Sequence, residues 1–252
     1  MTGHLYFLIL GYNCVNHSIA CLESIIEHEQ EPEILFLDNG SSDHTYDILK
    51  NKFKGYEKIK NFYSPKNLGV SAGRNFLLTK VKDKDSYLIF IDNDTILLDQ
   101  VSHKVIIGLN NQIVGVYGKT GIFFSDNLDP FVTKEIRQEV DAVTGYFLAS
   151  RYRILQQVGF FDNNYFFYED DFDLCLKIKE NNYKIMSDDT IPVLHKEHIS
   201  SSTLKDKDLY LKKNRQYFIR HWKNKQAILE INKRNLNYLD CRNCTEIWTR
   251  KT

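Results

Sequence analysis

Tyr87-Leu88-Ile89-Phe90-Ile91-Asp92-Asn93-Asp94 places five apolar or aromatic residues directly before two acidic side chains. A continuous apolar run of this length is typical of a strand buried on both faces, as in a parallel sheet. Ligands of open α/β sheets bind at the carboxyl ends of the strands, where these acids lie. Because one residue separates Asp92 from Asp94, their carboxylates can share one small region. Paired carboxylates are typical ligands of Mg²⁺ or Mn²⁺, although Asp and Asn also favour an ordinary turn.

Length, charge and cysteine usage narrow the classes of protein. With 252 residues, of which 42% are hydrophobic, the chain can form one large domain or two small ones. Basic and acidic residues each number 33, and this balance argues against electrostatic binding of nucleic acid. No apolar span is long enough for a transmembrane helix, and the apolar run at residues 5–10 lacks the length and basic flank of a secretory signal. Five scattered cysteines fit a reducing cytosol better than a disulfide framework.

Strand and helix patterns alternate through the first part of the chain. This alternation predicts βαβ units around a parallel sheet. Three of the predicted strands end in polar turns, which a parallel sheet would bring to one edge. The predicted strands are residues 5–10, 34–37, 59–63 and 87–91, and the predicted helices are residues 17–28, 45–53 and a third that runs through residue 78.

The second half is less regular. Residues 141–149 predict one apolar strand interrupted by Gly145, where a ligand or another backbone can approach closely. A helix is expected directly after the acidic residues at 169–173, and the last short strand ends at His195. The predicted short strands are residues 113–117, 121–124, 183–186 and 191–194.

The tail from residue 204 is rich in basic and aromatic residues and predicts a helix through residue 228. Such a helix either packs its aromatic face on the domain or rests on anionic lipid as an amphipathic helix. Cys241 and Cys244 form a single CxxC pair further along, which amounts to half of a zinc site.

Four acids follow a run of four aromatic residues at 165–168, and they are Glu169, Asp170, Asp171 and Asp173. Acids in the first turn of a helix are stabilised by the helix dipole, which accounts for one or two of them. A carboxylate beside aromatic walls can have a pKa raised toward neutrality, and this suits a general base. His195 is either a strand-end histidine with a satisfied hydrogen bond or the residue that completes a metal site with Asp94.

Several short motifs occur along the chain in a fixed order. They are Gly11-Tyr12-Asn13, Asp38-Asn39-Gly40-Ser41-Ser42-Asp43, Asn67-Leu68-Gly69 with Arg74-Asn75, Asp92-Asn93-Asp94, Thr144-Gly145 with Val158-Gly159-Phe160-Phe161-Asp162, and Asp170-Asp171-Phe172-Asp173-Leu174. Through these motifs the chain resembles the family 2 glycosyltransferases of the GT-A fold, close to the rhamnosyltransferase-like bacterial members, over roughly residues 5–225. The family has Glu where this chain has Asp170, so Glu169 is a competing position for the base.

The resemblance implies an α/β fold of the GT-A type. Such a fold has a Rossmann-like nucleotide-binding half and a mixed, mostly parallel sheet flanked by helices, here with a helical C-terminal tail. It implies one catalytic domain at residues 1–203, with residues 1–98 binding the nucleotide-sugar and residues 99–203 binding the acceptor. Residues 204–252 would then form a C-terminal helical extension.

The resemblance also implies a role for each motif residue. Tyr12 would stack on the nucleotide base and Asp38 would accept a hydrogen bond from N3–H of uracil or thymine. Arg74 would lie near the base or the phosphates. Asp94 and His195 would ligate the metal. The donor-binding set is Tyr12, Asn13, Asp38, Asn67, Arg74, Asp92 and Asn93; the acceptor-binding set is Gly145, Asp170 and Asp173; the general base is Asp171.

The activity implied by the resemblance is an inverting, metal-dependent sugar transfer from a UDP- or dTDP-sugar to a hydroxyl, with Mn²⁺ or Mg²⁺ as cofactor. The acceptor would be a saccharide, a lipid-linked molecule or a protein in cell-surface polysaccharide or glycoconjugate synthesis. The expected location is the cytoplasm, with peripheral contact at the inner face of the membrane if the tail binds lipid, and no nucleic acid partner is expected.

Two other functions stay open at this stage. A nucleotidyltransferase would need a glycine-rich, basic loop after the first strand, and residues 11–16 hold one glycine and no basic residue. A catalytically inactive nucleotide-sugar-binding subunit would have no need of both the Asp92-Asn93-Asp94 motif and the acidic cluster.

Overall fold

The computed structural model describes residues 4–133, 135–196, 206–225, 228–230 and 244–246. Its main sheet is built on four parallel strands. The register pairs Gly11 with Asp38 and Leu10 with Asp92, so the polar turns after these strands meet at one edge. The strands are β1 (Leu5–Gly11), β2 (Glu33–Asp38), β3 (Ile59–Tyr63) and β4 (Tyr87–Asp92), and they lie in the order β3-β2-β1-β4.

Strand β4 is covered on both faces, which explains its continuous apolar sequence. Leu88 and Phe90 belong to the hydrophobic core on one side of the sheet. Ile89 and Ile91 belong to the core on the other side. Alternate residues of a strand point to opposite faces, so a strand between two layers is apolar at every position. The connecting helices, close to the predicted bounds, are α1 (Val15–His28), α2 (Thr45–Lys52) and α3 (Val70–Lys80).

The main sheet continues into the second half of the chain. Strand β11 (Phe147–Arg151) pairs antiparallel with β4 and with the next strand, β6 (Val114–Gly118). Two further strands, β12 (Lys184–Asp188) and β9 (Arg137–Val140), complete the order β3-β2-β1-β4-β11-β6-β12-β9 within the described residues. The mixed, mostly parallel α/β architecture predicted from the sequence is therefore confirmed.

The prediction of one strand over residues 141–149 is wrong. Two strands in different sheets replace it: β10 (Ala142–Val143) and β11. The chain passes from one sheet to the other between these strands, where the backbone N–H of Thr144 donates to the carbonyl of Thr120. The second sheet has the order β10-β7-β8-β14, in which β7 is Gly121–Phe124, β8 is Pro130–Thr133 and β14 is Cys244–Glu246.

Several short elements have no clear sequence pattern and were not predicted, although the strand that ends at His195 was. Strand β5 (Thr95–Leu97) pairs antiparallel with β13 (Val193–His195). Helices α4 (Ser102–Asn110) and α5 (Tyr152–Gln157) cover the sheet. Helix α6 (Asp170–Glu180) begins within the acidic cluster, as predicted, and three acids lie in its first turn.

The tail forms helix α7 (Lys207–Trp222), whose aromatic face packs on the domain. Phe218 and Trp222 are 0% and 1% exposed. The Tyr210 ring stacks on Phe166 at 4.4 Å between centroids. The packed alternative for this helix therefore agrees with the structure, because its large aromatic side chains face protein. Residues 204–205 and Cys241 lie outside the described residues, as do the side-chain contacts of Cys244. Among the described helices, none combines the length and the apolar character needed to cross a membrane.

Candidate active site

A cleft lies at the carboxyl ends of the parallel strands and opens to solvent. Both halves of the chain contribute to it, since Phe166 and Phe167 lie across from the turns that follow β1 and β4. The lining residues are Leu10, Tyr12, Asn39, Asn67, Gly69, Val70, Asp92, Asn93, Phe166 and Phe167. Four of the predicted donor-binding residues, Tyr12, Asn67, Asp92 and Asn93, are among them.

Asp38 organises the loop after β2. Its side chain is 1% exposed, and its Oδ1 and Oδ2 accept the backbone N–H groups of Ser41 at 2.8 Å and Tyr46 at 2.9 Å. Asn13 ties this loop to the turn after β1, because its Oδ1 accepts the N–H of Ser42 at 2.9 Å. Asp38 therefore orders the loop that follows β2, and a carboxylate that accepts two hydrogen bonds retains capacity for a further one.

Two asparagines fix the loop before α3. Asn39 donates its amide to Oδ1 of Asn67 at 3.1 Å, and its own oxygen accepts the N–H of Leu68 at 3.0 Å. Gly69 follows with φ +82°, and a Cβ at this position would lie 2.7 Å from Phe166. Only glycine permits this backbone conformation together with so close an approach of the aromatic segment.

Asp92, Asp94 and His195 form a group that we call the ligand triad. One ligand atom from each residue lies within 4.8 Å of the others. The pairing of β5 with β13 produces this arrangement, because it sets His195 opposite Thr95, the residue after Asp94. Burial raises the pKa of Asp92, against the opposing effect of Arg74.

The ligand triad suits a divalent cation. The buried Oδ1 of Asp94 lies 3.2 Å from Nε2 of His195 but makes no hydrogen bond of good geometry. A buried carboxylate oxygen without a hydrogen bond is costly unless a cation or another partner satisfies it. Two carboxylates and one imidazole are suitable ligands for Mn²⁺, and carboxylates alone suit Mg²⁺.

Asn93, between the two acids, has a buried side chain that donates to Oγ of Ser18 at 2.9 Å and to the carbonyl of Asn13 at 3.4 Å. The amide therefore links the turn after β4 to α1 and to the turn after β1. These contacts position the wall of the cleft, and both are donated by the side-chain amide of Asn93 to other parts of the protein.

Arg74, which is expected near the base or the phosphates, is buried beside Asp92 of the ligand triad. It is 5% exposed, and its guanidinium bonds Asp170 at 2.8 Å, Asp92 at 3.2 Å and the carbonyl of Gly145 at 2.9 Å. Burial alone would lower the pKa of Arg74, but the surrounding carboxylates, Asp170 first, raise it. The side chain is thus an internal cation that connects the ligand triad to the acidic cluster.

Asp171 is the member of the acidic cluster that reaches solvent, since its three neighbours in the cluster are buried. Its Oδ2 accepts the N–H of Gly145 at 2.6 Å, and its Oδ1 accepts the N–H of Phe172 at 2.9 Å. Burial, followed by the charge of Asp170, raises the pKa of Asp171 to about 8. A carboxylate with this pKa can accept a proton efficiently near neutral pH.

Asp173 and Glu169 face the interior instead. Asp173 Oδ1 accepts from Nε1 of Trp222 at 2.9 Å and from the hydroxyl of Tyr165 at 3.2 Å, which anchors α7. These contacts support a structural role for Asp173 in place of the expected acceptor contact. Burial raises the pKa of Glu169 to about 7, and its carboxylate forms an ion pair with Arg215 at 3.5 Å.

Three residues at the site were missed by sequence reasoning. Asn39 lies inside a motif that was quoted, but its role in the loop is visible only once Asn67 is beside it. Phe167 belongs to the aromatic run before the acids. Tyr146 directly follows Gly145, and its ring stacks on His195. Phe167 and Tyr146 could have been predicted from their closeness in sequence to residues already assigned to the site.

Comparison with known proteins agrees with this geometry. The profile of the family described as glycosyl transferase family 2 matches residues 7–174. The chain belongs to glycosyl transferase family 2. An uncharacterized glycosyltransferase of Haemophilus influenzae is 29% identical over 101 residues, which cover 40% of this chain and 38% of the relative.

Solved glycosyltransferase structures share the fold. GalNAc-T7 with UDP, GalNAc and Mn²⁺ has a TM-score of 0.68 at 14% identity, covering 91% of this chain and 52% of its own. The mannosyltransferase PcManGT of Pyrobaculum calidifontis, in complex with GDP-Man and Mn²⁺, has a TM-score of 0.62 at 13% identity, covering 76% and 56%. S. aureus TarS 1-349 with UDP-GlcNAc has a TM-score of 0.59 at 16% identity, covering 83% and 64%. This chain spans less than two thirds of the length of each of these proteins.

Proposed function

We propose that this protein is an inverting, metal-dependent glycosyltransferase that moves a sugar from a nucleoside diphosphate to a hydroxyl acceptor. The observation that supports this most strongly is the position of two chemical groups on either side of Arg74. The ligand triad contacts Arg74 through Asp92, and the base Asp171 contacts it through Gly145. Membership of glycosyl transferase family 2 supports the reaction class.

The donor would lie along the cleft with its nucleoside near Tyr12 and Asn67 and its diphosphate at the ligand triad. Tyr12 offers an aromatic face for the base. Asp92, Asp94 and His195 would hold the divalent cation, whose positive charge would stabilise the departing nucleoside diphosphate. Arg74 fixes Asp92 at this position.

Asp171 would accept the proton of the acceptor hydroxyl. The oxygen of that hydroxyl bonds to the anomeric carbon from the face opposite the diphosphate, and the bond from this carbon to the phosphate oxygen breaks. One displacement inverts the anomeric configuration, as in inverting glycoside chemistry with its carboxylate base. The N–H groups of Gly145 and Phe172 hold the Asp171 carboxylate in a fixed orientation for this proton transfer.

The proposal extends to the substrates and the cellular setting. A UDP- or dTDP-sugar is the donor, because Asp38 retains acceptor capacity for the N3–H that uracil and thymine possess. The acceptor is a hydroxyl of a saccharide or glycoconjugate in cell-surface polysaccharide synthesis. Free thiols at Cys14, Cys21 and Cys175 support a reducing, cytoplasmic setting.

The experiment is a panel of UDP-, dTDP-, CDP- and GDP-sugars, assayed for release of the nucleoside diphosphate with Mn²⁺, with Mg²⁺ and with EDTA. We expect turnover with a UDP- or dTDP-sugar and metal, loss of turnover in EDTA and in Asp94→Ala, and a folded Asp94→Ala by circular dichroism. Asp99→Ala is the matched control, since this exposed acid follows β5 outside the ligand triad. Turnover that persists in EDTA would contradict the metal-dependent mechanism.

A further inference from the structure

The turn between β10 and β11 lies between the ligand triad and the base. We call Gly145 and Tyr146 the bridging turn. Gly145 donates its N–H to Asp171 at 2.6 Å and accepts from Arg74 at 2.9 Å. The carbonyl of Tyr146 accepts the backbone N–H of Asp92 at 3.1 Å. Two adjacent residues therefore contact the base on one side and the first member of the ligand triad on the other.

The side chain of Tyr146 contacts a second member of the triad. Its ring stacks on the imidazole of His195, with 4.4 Å between centroids and 6° between the planes. The Tyr146 hydroxyl lies 2.6 Å from Oγ1 of Thr120, so the ring is held at both its face and its tip. The stacked face restricts the tilt of the imidazole, whose Nε2 lies 3.2 Å from Oδ1 of Asp94.

We propose that Tyr146 is a positioning residue that orients His195 as the third ligand of a divalent cation. This inference rests on the proposed function, because it assumes that the ligand triad binds such a cation. Residues around a ligand fix its orientation, and their loss typically weakens metal binding. Here a parallel ring stack fixes the plane of the imidazole.

The bridging turn also relates the positions of two members of the ligand triad. Asp92 is held through the Tyr146 backbone and His195 through the Tyr146 ring, so one residue sets the spacing of two ligands. Gly145, the next residue, holds Asp171. A Cβ at Gly145 would lie 2.9 Å from both terminal nitrogens of Arg74 and 3.1 Å from Oδ2 of Asp171. The absence of a side chain there keeps the base close to the same turn.

The test measures the binding of Mn²⁺ alone, without donor, from the loss of the electron paramagnetic resonance signal of the free ion. We expect Tyr146→Ala to bind Mn²⁺ about 10- to 100-fold more weakly than the wild-type protein. Tyr146→Phe retains the stacking face and should bind Mn²⁺ much as the wild-type protein does. This rescue by the conservative variant separates the ring stack from the Thr120 hydrogen bond.

Two controls make the outcome decisive. Tyr152→Ala removes another mostly buried tyrosine, which packs edge-on against Phe160 away from the triad. It should lower the melting temperature without weakening Mn²⁺ binding. Asp94→Ala should abolish Mn²⁺ binding. Circular dichroism checks that each variant is folded.

The outcomes distinguish this inference from the proposed function. If Tyr146→Ala binds Mn²⁺ as tightly as wild type while Asp94→Ala does not bind it, the positioning role is wrong and the metal site stands. The positioning role is also wrong if Tyr152→Ala weakens Mn²⁺ binding as much as Tyr146→Ala does. The same holds if Tyr146→Phe weakens Mn²⁺ binding as much as Tyr146→Ala does. If Asp94→Ala binds Mn²⁺ normally, or the wild-type protein does not bind it, the metal-dependent function fails as well.

Discussion

Nη1 of Arg74 and Oδ2 of Asp170 lie 2.8 Å apart in the interior of the protein. Arg74 belongs to α3, which follows the loop of Asn67 and Gly69, and Asp170 begins α6, which also carries Asp171. The other terminal nitrogen of Arg74 reaches Asp92 at 3.2 Å. One buried cation therefore holds together carboxylates from the two halves of the site.

We predict that Arg74→Ala lowers the free energy of unfolding by about 3–5 kcal/mol, because the buried carboxylate of Asp170 loses its cation, as does the partly exposed carboxylate of Asp92. Urea denaturation followed by circular dichroism measures this change. Arg153→Ala is the matched control, since Arg153 pairs with Asp85 at a site where the two side chains are 69% and 67% exposed. That variant should change stability little. An equal loss in both variants would contradict the role given to Arg74.

The position of Asp38 predicts a preference among nucleotide bases. Its carboxylate retains capacity to accept N3–H, which uracil and thymine have and cytosine lacks. A hydrogen bond to a charged acceptor contributes about 1.5–3 kcal/mol, so UDP and dTDP should bind about ten- to a hundredfold more tightly than CDP. Isothermal titration calorimetry with Mn²⁺ present measures the three affinities.

Asp38→Ala should reduce this preference. The variant also loses the hydrogen bonds from Ser41 and Tyr46, so its stability should fall, and the ratio of the UDP and CDP affinities is the informative quantity. Equal affinities of the wild-type protein for all three nucleotides would exclude the contact between Asp38 and the base.

The sequence alone predicts the parts of the site that follow strand ends. Asp92 and Asp94 come after an apolar run that identifies a doubly covered strand, and parallel pairing then places them beside the turn after β1. His195 follows another short apolar strand, and this made it a candidate for the site of Asp92 and Asp94. These inferences succeed because the period of a strand and the geometry of a parallel sheet are local rules.

The sequence alone could not predict which distant residues contact each other. Arg74 pairs with Asp170, which is 96 positions away, and no local pattern distinguishes this partner from a phosphate. Asp173 is an acid in the first turn of a helix, which is favourable whether it faces solvent or protein. The docking of α7, which brings Trp222 to Asp173, and the nearby Tyr165 hydroxyl make it an internal acceptor. Tyr146 was included in a predicted strand because the turn there depends on a contact between Thr144 and Thr120, which are 24 positions apart in the chain.

The packing of α7 predicts weak contact with membranes. Its aromatic side chains face the domain, while basic residues such as Lys212 and Lys213 are exposed. Exposed lysines alone attract anionic lipid through a charge effect that salt screens. We therefore expect no flotation with anionic liposomes at moderate salt. Flotation that survives moderate salt would show that the helix inserts apolar side chains, contrary to the packing of Phe218 and Trp222.

Asp171 is expected to carry the proton transfer. Asp171→Asn keeps the size of the side chain but cannot accept the proton, so kcat should fall by a factor of about 10²–10⁴. The dissociation constant for the nucleoside diphosphate should change little, because Asp171 contacts Gly145 and Phe172 and not the ligand triad. Glu169→Gln is the matched control, since it neutralises the adjacent buried carboxyl group and should cost much less activity. Near-native turnover of Asp171→Asn together with loss of turnover in Glu169→Gln would assign the base to Glu169.

The raised pKa of Asp171 predicts opposite effects of pH on activity and on stability. The base must be ionised, so kcat/KM should rise with pH and level off above about 8. This pH dependence should be absent from the residual activity of Asp171→Asn.

The pKa of Asp171 in the folded protein exceeds the model-peptide value of 3.8, so the folded protein binds this proton more tightly than the unfolded chain does. The contribution of Asp171 to stability is therefore full at low pH and is lost as pH rises from about 4 to about 8. Asp171→Asn should accordingly gain stability relative to wild type across this range, measured as the difference in melting temperature at a series of pH values. A constant difference across the range would show that Asp171 titrates normally, and the general base would then have to act without a raised pKa.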